Sequence, residues 1–168
     1  VAFVLSADLT TDYVKATIHG DLYGHNVLVD RRKETWLIDF ARACKGPILQ
    51  DYASFEIFLR ITSAQCTDWD KLQVWEQSLL DIANLSVCVL PAELATDPAI
   101  QKAHRAVLKI RELAFRENMQ TTEKAYLISL LFNALKSFTV MSLPAIQRYH
   151  ALFSAALIAE KLHTLNVL

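Results

Sequence analysis

The sequence predicts a mainly α-helical domain with one small β-hairpin near its start. Short β-branched runs separated by polar turns fill the region up to about residue 45. From residue 48 onward, apolar residues recur at the three- and four-residue steps of amphipathic helices. The chain has 168 residues, 53% of them hydrophobic, which suits one closed core and not a disordered segment.

The elements follow in order. "KATI" (15–18), "NVLVD" (26–30) and "TWLIDF" (35–40) read as strands. The polar turn "DRRKE" should pair the last two as a hairpin, and 19–25 is a loop. After "KGP" (45–47), "ILQDYASFEIFLRI" (48–61) places Ile48, Tyr52, Phe55 and Leu59 on one helical stripe. Asp68 or Thr67 can cap a helix that runs to about Leu85. Asp97 as N-cap and Pro98 as first helical residue start another over 96–115. Helices over 121–140 and 144–165 follow, separated by "MSLP". With no repeat or flexible linker, residues 1–168 form a single domain. Residues 15–45 hold the hairpin and its loop, and 48–168 form the helical body.

Composition excludes several classes. Seventeen basic and eighteen acidic residues give a net charge of −1, with no reason to expect nucleic acid or an anionic membrane as partner. Cys44, Cys66 and Cys88 form no CxxC or Cys/His pairing, so reduced thiols in a cytoplasmic protein are expected. The apolar stretch 125–143 carries Asn133, Lys136 and several hydroxyls, which favours a buried bundle helix over a membrane span.

Residues 18–29, "IHGDLYGHNVLV", and 35–40, "TWLIDF", carry the chemistry. A loop held between strands can fix a carboxylate, Asp21, at its start and an amide, Asn26, at its end. Asp39 sits where an apolar strand surfaces. Carboxylate and amide oxygens are hard donors suited to Mg²⁺, which takes few protein ligands and leaves sites for water and phosphate. Asp21 is then free to accept a proton from a hydroxyl, an arrangement suited to phosphoryl transfer. Singly, each of these residues is an ordinary turn former. In this order, with His19 and Gly20 attached, the functional reading is stronger.

"HGDLYGHN" followed by "LIDF" resembles the catalytic loop and metal motif of the aminoglycoside phosphotransferase and choline kinase family, within the protein-kinase-like superfamily. The resemblance extends to "GPILQDYASFE" and covers residues 18–56. It implies the C-terminal lobe of a kinase-like (α+β) fold. Asp21 would be the catalytic base, and Asn26 and Asp39 the ligands of Mg²⁺ and hence of ATP. His19 would be structural, packing beneath the metal strand, and Asp51 would brace the loop through its backbone amides. His25 would be a solvated loop histidine. A phosphoesterase reading of "GDLYGH" fails, because Gly46 is the one glycine left for the later motifs and it precedes Pro47.

The departures set further expectations. Ala41 follows "DF", and Arg42 and Lys45 stand beside the phosphate site, where a solvated loop is slightly favoured over phosphate contact. Only fourteen residues precede Lys15, and Lys15 cannot replace the nucleotide-binding lysine of an N-terminal lobe. The resemblance therefore implies a C-terminal lobe whose N-terminal lobe lies elsewhere in a longer parent, with the isolated chain inactive. The parent would transfer the ATP γ-phosphoryl group to a hydroxyl of a small molecule. The alternatives are a catalytically silent, pseudokinase-like module that binds nucleotide or protein, and a helical interaction domain. Glu56, Asp68, Asp70 and Glu76 are conceivable acceptor contacts, with solvated helix surface as the commoner role.

Overall fold

The computed structural model describes residues 9, 11–64, 68–80, 85, 87–116 and 122–167. Two antiparallel strand pairs precede five α-helices among these residues. Strand β1 (Lys15–Ile18) pairs with β4 (Cys44–Pro47), setting Ile18 opposite Cys44. Between them in sequence, β2 (Val27–Val29) and β3 (Thr35–Leu37) form the expected hairpin, with Val27 opposite Leu37. The strand at 44–47 was not anticipated, because "CKGP" lacks strand formers. Gly46 explains it: a Cβ there would lie 2.6 Å from Ile18 Cδ1, so β4 meets β1 by having no side chain at that point.

The helices are α1 (Leu49–Ser63), α2 (Trp69–Ser78), α3 (Pro98–Ala114), α4 (Glu123–Thr139) and α5 (Ala145–Val167). Their starts obey simple capping chemistry. Asp68 accepts from the Asp70 and Lys71 amides, Asp97 from Ala99 and Ile100 beside Pro98, and Thr122 from Ala125. Of the two expected caps for α2, Asp68 serves and Thr67 lies outside the described residues, as does Cys66. Helix α2 ends at Ser78, short of the expected Leu85; residues 81–84 lie outside those described. Ala53 and Ile57 of α1 pack with Tyr126 and Leu130 of α4 and Ile158 of α5 in one core cluster. Leu72 and Trp75 of α2 pack with Ile100 and Val107 of α3 in a second. None of the described helices is long and apolar enough to cross a membrane.

The buried stripe of α1 is not the expected one. Ile48, Tyr52, Phe55 and Leu59 are only half-buried, while Leu49, Ala53, Glu56, Ile57, Arg60 and Ile61 face the interior. Glu56 and Glu76, expected at the surface, are fully buried. Glu56 accepts from Arg111 Nε at 3.0 Å and Nη2 at 2.7 Å, and from the Tyr126 hydroxyl at 2.7 Å. Arg60 reaches both carboxylates, pairing with Glu76 through Nε and Nη2. His150 of α5 meets Glu76 Oε1 at 2.8 Å. Arg111 Nη1 also donates to the Leu79 and Leu85 carbonyls, tying down the chain after α2. All five helices thus contribute to one polar knot. Removing one partner of such a buried pair costs about 3–5 kcal/mol, because the other charge stays buried.

Candidate functional site

The site is built from the loop after β1, the end of β3 and the first turn of α1. Asp51, in that first turn, spends both carboxylate oxygens on the loop. Oδ2 accepts from the His19 amide at 2.6 Å and Oδ1 from the Gly20 amide at 3.0 Å. A carboxylate at a helix N-terminus is also favoured by the helix dipole. Gly20 makes the turn possible. Its φ is +77°, and a Cβ would sit 2.4 Å from the Arg42 carbonyl oxygen. Both are backbone amides of the loop, the kind of partner that the family resemblance implies for Asp51.

His19 is buried, with its ring 4.8 Å from that of Phe40. Its Nε2 donates to the Ile38 carbonyl at 2.8 Å, which fixes the Nε2–H tautomer. Asn26 is also buried, and its Nδ2 donates to the Asp21 carbonyl at 2.9 Å, closing the loop across five residues. The Ile38 amide then donates to the Asn26 carbonyl at 3.1 Å, so the β3 end is stitched to both His19 and Asn26. Gly24 permits this short turn: a Cβ there would meet the Phe58 ring at 2.2 Å.

Asp39 emerges directly after Ile38. It is exposed, with left-handed backbone angles of φ 61° and ψ 61°. A non-glycine residue in that region is held there by its surroundings, and such strain gathers at functional sites. Asp21 is one-quarter exposed and faces two cations, with Lys136 Nζ 3.2 Å from Oδ1 and Arg42 Nε 3.8 Å from Oδ2. Arg42 is exposed, as the solvated-loop expectation has it, and its guanidinium turns back toward Asp21. Lys45 is likewise engaged, donating to Thr17 Oγ1 at 2.7 Å. His25 is exposed, its ring meeting Tyr23 and Phe58 edge-on, and Lys15 is exposed on β1.

Lys136 is the site residue that sequence reasoning missed. It lies 115 residues from Asp21, in the last turn of α4. Its signal in the sequence is the single charge in a largely apolar run, 125–143. The donor set fits Mg²⁺ in kind, offering the Asp39 carboxylate and the Asn26 amide oxygen, the latter on a side chain held through its nitrogen. Among the described residues no three His, Cys, Asp or Glu side chains converge as a metal cage. Mg²⁺ in phosphoryl-transfer sites needs fewer protein ligands than that.

A family model described as ternary complex associated domain 9 matches residues 3–139. The chain belongs to that family. The matched span of this ternary complex associated domain takes in both strand pairs and α1–α4, ending at the last residue of α4. Asp21, Asn26, Asp39, Asp51 and Lys136 all fall inside it, whereas α5 and its His150 lie beyond. Neither the curated proteins nor the solved structures contain a match.

Proposed function

We propose that this domain is the C-terminal lobe of a kinase-like phosphotransferase. The protein that contains it would move the γ-phosphoryl group of ATP to a hydroxyl of a small molecule, in the cytoplasm. The observation that carries the reading is the bridge from Asp51 to the His19 and Gly20 amides. It is a specific long-range contact that the catalytic-loop resemblance requires and that a chance run of turn formers does not.

In this reading the Asp21 carboxylate accepts the proton of the acceptor hydroxyl. The hydroxyl oxygen bonds to the γ-phosphorus, the bond to the β–γ bridging oxygen breaks, and ADP leaves. Asn26 and Asp39 would hold Mg²⁺, which when bound supplies positive charge to the phosphate oxygens. His19, Asp51 and Gly20 hold the backbone so that Asp21 and Asn26 keep one relative position, and fixed geometry contributes strongly to such reactions.

A second reading is a silent binding module. It draws support from the family description, which speaks of association in a ternary complex, and from the exposed Trp36, Leu37 and Phe40 around the hairpin. Transfer from γ-labelled ATP to hydroxyl acceptors, measured on the natural protein containing these residues, separates the two. Asp21→Asn should abolish transfer while sparing Mg·ATP binding, because the base contributes to the transition state more than to the ground state. Equal transfer by wild type and Asp21→Asn would remove the enzyme reading.

A further inference from the structure

Asp21 is a single carboxylate facing two cations, and that excess of positive charge bears on what the site accepts. Lys136 Nζ and Arg42 Nε stand 3.2 and 3.8 Å from its two oxygens. Both cations keep access to solvent, their side chains being 46% and 65% exposed against 25% for Asp21. Lys136 is also well anchored. One turn earlier, Asn133 is buried and accepts from Gln50 Nε2 at 3.3 Å, which sets α4 against the start of α1. Of the four helix carboxylates conceivable as acceptor contacts, Asp68 caps α2 and Asp70 is exposed in its first turn. Glu56 and Glu76 are sealed in the core with their arginines, and Asp51 holds loop amides.

We propose that Lys136 and Arg42 form an anion-recognising pair that selects the acceptor, and that the acceptor is an alcohol bearing a phosphate or carboxylate group. This rests on the phosphotransferase reading. The pair releases part of its hold on Asp21 to the acceptor's anionic group, which places the hydroxyl of the same molecule at the freed carboxylate. That hydroxyl gives its proton to Asp21 as its oxygen takes the γ-phosphoryl group and ADP departs.

The test is calorimetry on the natural protein containing these residues, using glycerol 3-phosphate, lactate, glycerol, choline and Mg·ATP as separate probes. Glycerol 3-phosphate or lactate should bind and glycerol and choline should not; whichever anion binds identifies phosphate or carboxylate as the recognised group. Lys136→Met and Arg42→Met should each weaken that anion by about tenfold, the scale of one charge-assisted contact. Both should leave Mg·ATP affinity within a factor of about two. Choline binding in place of the anions, or anion binding indifferent to Lys136→Met, would overturn the inference and leave the phosphotransferase reading intact. An equal loss of Mg·ATP affinity in Lys136→Met would also overturn it, by making Lys136 a nucleotide contact. Lys136-dependent anion binding with no Mg·ATP affinity would instead overturn the acceptor role together with the phosphotransferase reading.

Discussion

Asp51 accepts hydrogen bonds from the backbone amides of His19 and Gly20, which precede it by thirty-two and thirty-one residues. The contact joins the helical body to the loop after β1 at the left-handed turn of Gly20. Both amides lose their carboxylate partner if it goes, and His19 is buried. Asp51→Ala should therefore destabilise the fold by about 2–4 kcal/mol, the sum of two unsatisfied or poorly resatisfied donors. Asp51→Asn should fall between, since one amide oxygen can serve one of the donors well. Urea unfolding of the three proteins checks the order, and an Asp51→Ala midpoint equal to wild type would refute the bracing role.

Two glycines of the loop should respond differently to alanine. At Gly24 the obstacle is a side chain, the Phe58 ring. At Gly20 it is the Arg42 carbonyl, and φ is +77° as well. Gly24→Ala should lower the melting temperature and recover partly when combined with Phe58→Ala, after allowing for the loss from Phe58→Ala alone. Gly20→Ala should cost about 1–3 kcal/mol through the left-handed backbone, with no side-chain substitution that relieves it. A double-mutant cycle on residues 24 and 58 that shows no coupling would contradict the packing described.

The loop and hairpin were legible because their signals are local. "HGDLYGHN" and "LIDF" place the candidate residues within a few positions of one another, and the strand at 44–47 escaped because its pairing depends on a missing Cβ at Gly46 rather than on strand formers. The helical body was legible in outline through Asp97, Pro98 and the caps. Its inner face was not. Glu56 and Arg60 carry the charges that normally mark a helix's wet side, so the apolar periodicity of α1 pointed to the wrong stripe. Their burial is stabilised by Arg111, Tyr126 and Glu76, partners 55, 70 and 16 residues away. Lys136 was hidden for the same reason: nothing near it in sequence indicates that α4 ends beside Asp21.

The polar knot predicts how stability depends on pH. Burial pushes the Glu76 carboxyl up, but the Arg60 guanidinium and His150 outweigh it and hold the group well below the ordinary carboxylate range. The native chain therefore binds this proton less readily than the unfolded chain. The stabilisation is complete above the unfolded value, roughly 4.3, and is lost as pH falls beneath it toward the folded value. Unfolding free energies at descending pH should drop steeply below that point. Glu76→Gln should be less stable at neutral pH by about 3–5 kcal/mol, having left Arg60 buried with only its longer contact to Glu56 among the carboxylates described, and should show a shallower acid limb. The double variant Arg60→Met/Glu76→Met, with both charges removed, should fold better than either single one. A wild-type acid limb matching that of Glu76→Gln would show that Glu76 contributes no such linkage.

Asp39 separates stability from function. Its left-handed backbone costs a non-glycine residue about 1–2 kcal/mol, a strain that glycine does not bear. Asp39→Gly should therefore be more stable than Asp39→Ala by about 1 kcal/mol, and close to wild type once the entropy of the unfolded glycine is counted. Both variants remove the carboxylate, so both should lose Mg·ATP affinity to the same extent if Asp39 binds the ion. Thermal unfolding ranks the stabilities, and calorimetry with Mg·ATP on the natural protein reads the second effect. An Asp39→Gly protein that keeps its Mg·ATP affinity would take Asp39 out of the metal site. An Asp39→Ala protein at least as stable as Asp39→Gly would mean that the left-handed turn imposes no strain.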